Sequence, residues 1–167
     1  MPDILQIFSD YFLKKIDESE VGEFKVKIPK DLIEHVLRFY LQPYLSDMKI
    51  NFFEKSLEIE GTNVLPVQLK LQIGELRWDR EQKIVEFELD VSDLVYKLIR
   101  SPLHHLGERT KEVITFYNRK LFVDFEKLFS LKPQWNSITY ALRNKIKLTN
   151  LLFTNDYLEL VFERVTP

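Results

Sequence analysis

The chain has 167 residues and a net charge of −2; 45% of the residues are hydrophobic and 30% are charged. This length fits one domain with a substantial core, and the composition is typical of a folded globular protein, not of a disordered one. The absence of cysteine excludes disulfides, thiol nucleophiles, iron–sulfur clusters and cysteine-based zinc sites.

The N-terminal stretch predicts an amphipathic helix, because apolar residues from Ile4 to Ile16 follow helical spacing after Pro2 and Asp3. We interpret it as a helix that docks on a sheet. A helix that lies on a membrane or binds a partner would carry more basic residues on its polar face. No apolar run approaches the about 18 residues that cross a bilayer, so no transmembrane segment is predicted. No secretory signal is visible, which favours a cytoplasmic location unless a leader was removed.

A strand and a helix follow. Residues 23–28 alternate strictly between polar and apolar side chains and predict a strand that ends at Pro29. Asp31 and Glu34 have the spacing of a capping box, which predicts that Asp31 caps the next helix. Pro43 marks the end of that helix or a kink in it.

Two hairpins come next. Residues 48–52 and 57–60 predict the strands of the first hairpin, which Gly61 closes. The second hairpin is the longest run of strand alternation in the chain and extends over residues 65–91, with a polar turn at 79–83. Its period of two places the apolar side chains on one face of a sheet.

The second hairpin changes phase at Gly74. Apolar residues occupy odd positions from Val67 to Ile73 and even positions at Leu76 and Trp78. Because a one-residue slip would expose these side chains, we predict a β-bulge at Gly74 that restores the phase. Bulges bend strands, so we expect a long, curved hairpin. The alternative is that the first strand ends at Gly74 and a new element begins there.

The remaining elements are short. A helix capped by Ser92 occupies residues 93–99, and Pro102 interrupts it before a connector at 103–107. After the connector the sequence predicts strands at 112–117 and 120–125, short helices at 125–129 and 137–144, and a closing hairpin with strands at 145–153 and 157–163. The pair Asn118–Arg119 predicts a tight turn between the first two of these strands.

One cluster, formed by His104, His105 and Glu108, suggests a metal site. Adjacent histidines point in different directions on a helix or strand, and no further ligand has the spacing of a zinc site. We therefore expect a solvated loop and no metal. Neither a Gly-x-Ser-x-Gly elbow nor a Gly-rich phosphate loop occurs. The sequence thus predicts no catalytic, cofactor-binding or metal-binding residue and no enzyme, although acids close to His104 or His105 in a deep cleft would revive that option.

Residues 116–122 interleave aromatic and basic side chains. Such a pattern can stack on bases and contact phosphates of single-stranded nucleic acid. At a net charge of −2 we interpret these residues as a strand pair with a basic turn, and we expect no nucleic-acid partner.

The chain is unusually rich in phenylalanine, with 13 residues. Buried rings remove large apolar areas from water, so one interpretation is a dense core. The other is a groove or tube between a curved sheet and its helices that holds an acyl chain or another apolar ligand. The rings behind both interpretations are Phe8, Phe12, Phe39, Phe52, Phe53, Phe116, Phe122, Phe125, Phe129, Phe153 and Phe162.

The closing part of the chain reads LFVDFEKLFSLKPQWNSITYALRNKIKLTNLLFTNDYLELVFE, a strand that runs into a short helix, a Pro-marked loop and a hairpin with a polar turn. With the elements before it, this order resembles the tubular lipid-binding (TULIP) superfamily and is most similar to its small bacterial members of unknown function. The likeness covers roughly residues 24–165 and is one of pattern, so no binding residue is carried over. It implies a long helix cradled by a strongly curved antiparallel sheet, with lipid held between them.

These observations predict a single α+β domain over residues 1–167. We expect a strongly curved, mainly antiparallel sheet of long hairpins packed against one or two amphipathic helices, those at Ile4 and Asp31. The predicted function is non-enzymatic binding of an apolar ligand, such as a lipid, between sheet and helix. The alternative is a protein–protein interaction or assembly module with a solid aromatic core and no ligand.

Overall fold

The computed structural model describes residues 4–17, 23–131 and 145–164. Its elements in chain order are α1 (Ile4–Asp17), β1 (Glu23–Pro29), α2 (Lys30–Leu41), β2 (Ser46–Phe53), β3 (Ser56–Asn63), β4 (Leu65–Trp78), β5 (Lys83–Asp90), α3 (Asp93–Arg109), β6 (Ile114–Tyr117), β7 (Lys120–Asp124), α4 (Phe125–Phe129), β8 (Ile146–Phe153) and β9 (Tyr157–Arg164). Helices and antiparallel strands together confirm the predicted α+β class.

The strands form two antiparallel sheets where one was expected. The larger sheet has the order β2-β3-β4-β5-β7-β6, and the smaller has the order β1-β9-β8. The predicted strong curvature is not confirmed, because neither of these sheets is closed or strongly curled. The physical reason is that bulges bend single strands locally, and those in β2 and β4 do not curl a sheet of six strands.

The long hairpin β4–β5 contains the predicted bulge. Ile73 pairs with Phe87 and Leu76 with Val85, so two residues of β4, Gly74 and Glu75, lie opposite one residue of β5. The strand continues through the bulge, which rules out the alternative of two separate elements meeting at Gly74. The phase correction turns Trp78 inward, where its side chain is buried.

Three predictions about element ends are wrong. Asp31 does not cap α2: this helix begins at Lys30, directly after the extended Pro29, and no side chain caps it. Gly61 does not close the first hairpin, because β3 continues past it and pairs it with Val67. Pro102 does not interrupt α3, which runs unbroken from Asp93 to Arg109.

The other turns and caps follow the sequence. Ser92 accepts a hydrogen bond from the N–H of Val95 at 3.3 Å, as a helix cap should. Asn118 and Arg119 have φ values of 52° and 61°, which is the conformation of a type I′ hairpin turn. The predicted strand at 112–117 begins two residues later, because Glu112 has a φ of 66°.

The predicted helix at 137–144 lies outside the described residues.

The sheets are joined by hydrogen bonds between their ends. The N–H of Phe153 in β8 donates to the carbonyl of Glu54 in the β2–β3 turn at 2.9 Å. The indole N–H of Trp78 in β4 donates to the carbonyl of Ile146 in β8 at 3.0 Å. Helix α1 packs against β1, α2 and α4, and its buried Ser9 donates to the carbonyl of Leu128 at 2.8 Å. Within the described ranges, no helix combines the length and hydrophobicity needed to cross a membrane.

Candidate apolar binding cavity

An interior cavity of about 200 Å³ lies between the helices and the two sheets. Every described residue that lines it is aliphatic or aromatic, and no charged side chain is among these residues. The sequence predicted no ligand-binding residue. Candidates for such residues come from the lining of this cavity. We call it the apolar cavity.

The larger sheet forms one wall of the apolar cavity. The alternation of β3, β4 and β5 brings every second side chain to this wall, and the register places them side by side: Leu57 pairs with Leu71, and Leu71 with Leu89. The lining residues from these strands are Leu57, Ile59, Leu69, Leu71, Val85, Phe87 and Leu89.

Helices cover the opposite side. The apolar stripe of α2 contributes residues at the spacing of one helix face, and α3 contributes Leu103 and Leu106 from its buried face. The lining residues from α2 are Ile33, Val36, Leu37, Tyr40 and Leu41. The smaller sheet closes the cavity with Ile28, Leu151, Phe153, Leu158 and Leu160.

Arg109 ties the C-terminal ends of α2 and α3 together beside the apolar cavity. Its guanidinium donates to the carbonyl of Tyr40 at 2.8 Å and lies 5.2 Å from the centre of the Tyr40 ring. The lining residues Leu37 and Leu41 nearby remain partly exposed, as does Ile114 of β6. Solvent therefore reaches the lining at α2 and at β6.

The described lining offers a water molecule few of the about three hydrogen-bond partners that a buried water needs. Lining side chains that face empty space also lose van der Waals contacts. A ligand that fits would regain the missing contacts.

Some of the predicted aromatic rings line the apolar cavity and others do not. Phe53 is 49% exposed, and the side chains of Phe8 and Phe12 lie outside the part of the chain that the structure describes. Phe125 and Phe153 line the apolar cavity. Phe162 instead packs 5.6 Å from Trp78, measured between ring centres, in the solid part of the core. The prediction from aromatic residues did not include Phe87 or the aliphatic residues that make up most of the lining. The period-two alternation of β5 had nevertheless placed Phe87 on the inner face.

The cluster His104, His105 and Glu108 forms no site. All three residues lie on the exposed side of α3, and the ring of His104 packs edge-on against Phe116 at 5.4 Å. In the described part of the chain, no group of three or more His, Asp or Glu side chains could hold a metal ion. These histidines lie on a helix, so the expected solvated loop after a broken helix is wrong.

The guanidinium of Arg119 in the basic turn binds other groups of the same protein. It donates to Asp93 at 2.6 Å and to the carbonyl of Val91 at 3.0 Å, and it lies 4.3 Å from the centre of the Tyr96 ring. These contacts join the β6–β7 hairpin to the start of α3. They agree with the interpretation of this stretch as a strand pair with a basic turn.

A second, open groove of about 810 Å³ lies on the outer face of β2, β3 and β4. Charges of opposite sign alternate across it: Glu58 pairs with Lys70, which pairs with Asp90. Such cross-strand pairs are what a solvated sheet face normally carries. Because its described lining is that of a solvated sheet face, we assign no function to this groove.

Comparison with protein-family models, with curated proteins and with solved structures finds no match to this chain. The resemblance to the tubular lipid-binding superfamily therefore stays a prediction from sequence pattern. The candidate site depends on the geometry of the apolar cavity alone.

Proposed function

We propose that this protein binds an apolar ligand in the apolar cavity and catalyses no reaction. The single observation that supports the proposal is a cavity of about 200 Å³ whose described lining residues are all aliphatic or aromatic. Binding there is driven by removal of apolar ligand surface from water, at about 25 cal/mol per Å². The tubular lipid-binding resemblance implies a lipid. Lipid-like molecules are therefore among the apolar compounds to be tested.

The lining argues for binding without chemistry. General acid–base catalysis needs a titratable group within hydrogen-bond reach of the substrate, and covalent catalysis needs an activated nucleophile. The Tyr40 phenol is the one such group among the described lining residues.

Thermal unfolding of the purified chain with a panel of apolar compounds tests the proposal. A compound present at 100 times its dissociation constant adds about 2.7 kcal/mol of stability, which raises the melting temperature by about 5–10 °C in a chain of this size. Native mass spectrometry of the freshly purified chain would show any molecule that co-purifies. The proposal is wrong if no compound raises the melting temperature and nothing co-purifies.

A matched pair of variants locates the binding. Leu106→Trp places a larger side chain at a lining position of α3, whereas Leu94→Trp makes the same change at a position of that helix that is 61% exposed. We expect Leu106→Trp to remove the stabilisation by ligand and Leu94→Trp to retain it. Equal stabilisation of both variants would place the compounds elsewhere on the protein.

Exposed apolar side chains support the second candidate, an interaction or assembly module. Val64 and Leu65 at the β3–β4 turn are 97% and 47% exposed, and Leu94 and Leu98 on α3 are 61% and 37% exposed. Sedimentation at several concentrations tests self-assembly. A monomer at every concentration would count against it.

A further inference from the structure

We infer that the ligand of the apolar cavity is a small uncharged molecule, of the size of a substituted benzene ring or a short alkyl chain, and not a long-chain lipid. This inference rests on the proposed function and narrows it to one ligand class. Two independent properties of the cavity carry it, its volume and the chemistry of its lining.

The volume limits the size of the ligand. A cavity of about 150 Å³ lined by Leu, Ile and Phe is large enough to bind benzene, whereas sites for drug-sized ligands begin at about 300 Å³. At about 200 Å³ the apolar cavity holds one ring with a small substituent. A long acyl chain would have to extend out of it, past the part-exposed Leu37 and Leu41.

The lining excludes a charged ligand. Moving a carboxylate or ammonium into apolar surroundings without a partner is strongly unfavourable. Among the residues that the structure describes, no charged side chain lines the apolar cavity. The buried Lys83 lies outside the lining and is paired with Glu126 at 2.6 Å. Arg109 also lies outside it, with its guanidinium on the Tyr40 carbonyl.

The lining also lacks groups that would fix a ligand by hydrogen bonds, because its side chains are aliphatic or aromatic apart from the Tyr40 phenol. Selectivity among apolar compounds must then come from shape and volume. Compounds of the same size that carry a charge or hydrogen-bonding groups should bind more weakly, because the cavity leaves those groups unpaired.

The experiment compares toluene, benzoate, palmitate and phosphatidylcholine vesicles by calorimetry and amide NMR spectra. Toluene and benzoate have nearly the same shape and differ in charge. We expect toluene to bind and to shift amide signals around Leu71 and Leu106. We expect benzoate to bind at least tenfold more weakly than toluene. Palmitate and the vesicles should not bind in the cavity, so any binding that they show should persist in Leu106→Trp.

Each other outcome contradicts a different statement. Binding of palmitate or vesicles that Leu106→Trp removes would overturn the size limit while the proposed function stands. Equal affinity for benzoate and toluene would overturn the exclusion of charge. If none of the four probes binds the wild-type chain, this inference fails. The proposed function fails with it only if no other apolar compound raises the melting temperature and nothing co-purifies. Should Leu106→Trp not fold, Val36→Phe fills the cavity from α2 and is compared with Leu94→Phe.

Discussion

Glu86 is an acidic side chain that is 5% exposed, on the outer face of β5 opposite the bulge. Burial raises the pKa of this carboxyl, but the N–H of Glu75 at 3.3 Å, Lys120 at 3.3 Å and the charge of Arg77 lower it more. The pKa of Glu86 therefore lies below its ordinary value of 4.5. The carboxylate form is the one that the fold stabilises.

We predict that Glu86→Gln lowers the free energy of unfolding at pH 7 by about 1–3 kcal/mol, because it removes a buried charged acceptor. A lowered folded-state pKa gives stability that is present above pH 4.5 and is lost as the pH falls through the folded-state value. The difference between wild type and variant should therefore shrink below pH 4.5. Urea unfolding between pH 3 and 7 measures it, and a difference independent of pH would contradict the assignment.

Val64 occupies a conformation that a β-branched residue rarely adopts. Its φ is 60°, and its side chain is 97% exposed at the β3–β4 turn. The left-handed region brings Cβ close to the following carbonyl, at a cost of about 1–2 kcal/mol.

We predict that Val64→Gly raises the free energy of unfolding by about 1 kcal/mol, since relief of this strain exceeds the added entropy of the unfolded chain. Val64→Ala keeps Cβ and should give a smaller gain. Urea unfolding midpoints of the three proteins compare them. A loss of stability in Val64→Gly would show that the valine side chain has a stabilising contact.

At the scale of elements, the bulge depends on the absence of a side chain at Gly74. A Cβ at this position would lie 2.9 Å from the carboxylate Oε2 of Glu86 and 3.2 Å from its carbonyl oxygen. The first contact would displace the carboxylate from the N–H of Glu75.

We predict that Gly74→Ala destabilises the protein by about 1–3 kcal/mol through this overpacking. In a Glu86→Ala background the side-chain contact is gone, so the same substitution should cost less. A double-mutant cycle from urea unfolding gives the coupling between the two positions. Equal losses in both backgrounds would mean that the contact with the carboxylate does not matter.

Helix α3 illustrates how packing overrides local signals. Pro102 removes one backbone donor and favours a break. The buried residues Ile99, Leu103 and Leu106 nevertheless lie on one face of a continuous helix, and a break at Pro102 would turn Leu103 and Leu106 away from the cavity wall. The helical spacing of apolar residues on both sides of Pro102 was the signal in the sequence that could have predicted a continuous helix.

At the scale of the whole molecule, a buried ion pair joins the long hairpin to α4. The ammonium of Lys83, 1% exposed, lies 2.6 Å from the carboxylate of Glu126, which is 28% exposed, and it donates to the carbonyl of Asp79 at 3.1 Å. Lys83 lies inside the core, where an ammonium is stable only with close partners such as these.

We predict an asymmetric response to breaking this pair. Glu126→Met leaves a buried ammonium and should cost about 3 kcal/mol, whereas Lys83→Met leaves a carboxylate that water still reaches and should cost less. The double substitution should recover part of the loss. Thermal unfolding compares the variants, with the exposed Lys127→Met as control. Equal losses for both single variants would contradict the argument.

The sequence predicted most elements and the bulge because these depend on local periodicity. Alternation around Gly74 identified the phase change, and Asn118–Arg119 identified the turn. Asp31 was assigned as a cap because its spacing to Glu34 was right, but Pro29 leads directly into the helix one residue earlier. Local patterns could not give the division into two sheets, since the pairing of β1 with β9 joins residues more than 120 positions apart along the chain.

The amino-acid order alone specified which side chains face inward, because periods of 2.0 and 3.6 need no knowledge of distant residues. Tertiary structure decided whether those inward faces meet in a filled core or leave a space. The apolar cavity exists because the two sheets and the helices are not in close contact at one place. Their spacing depends on how distant elements pack, which no local stretch of sequence encodes.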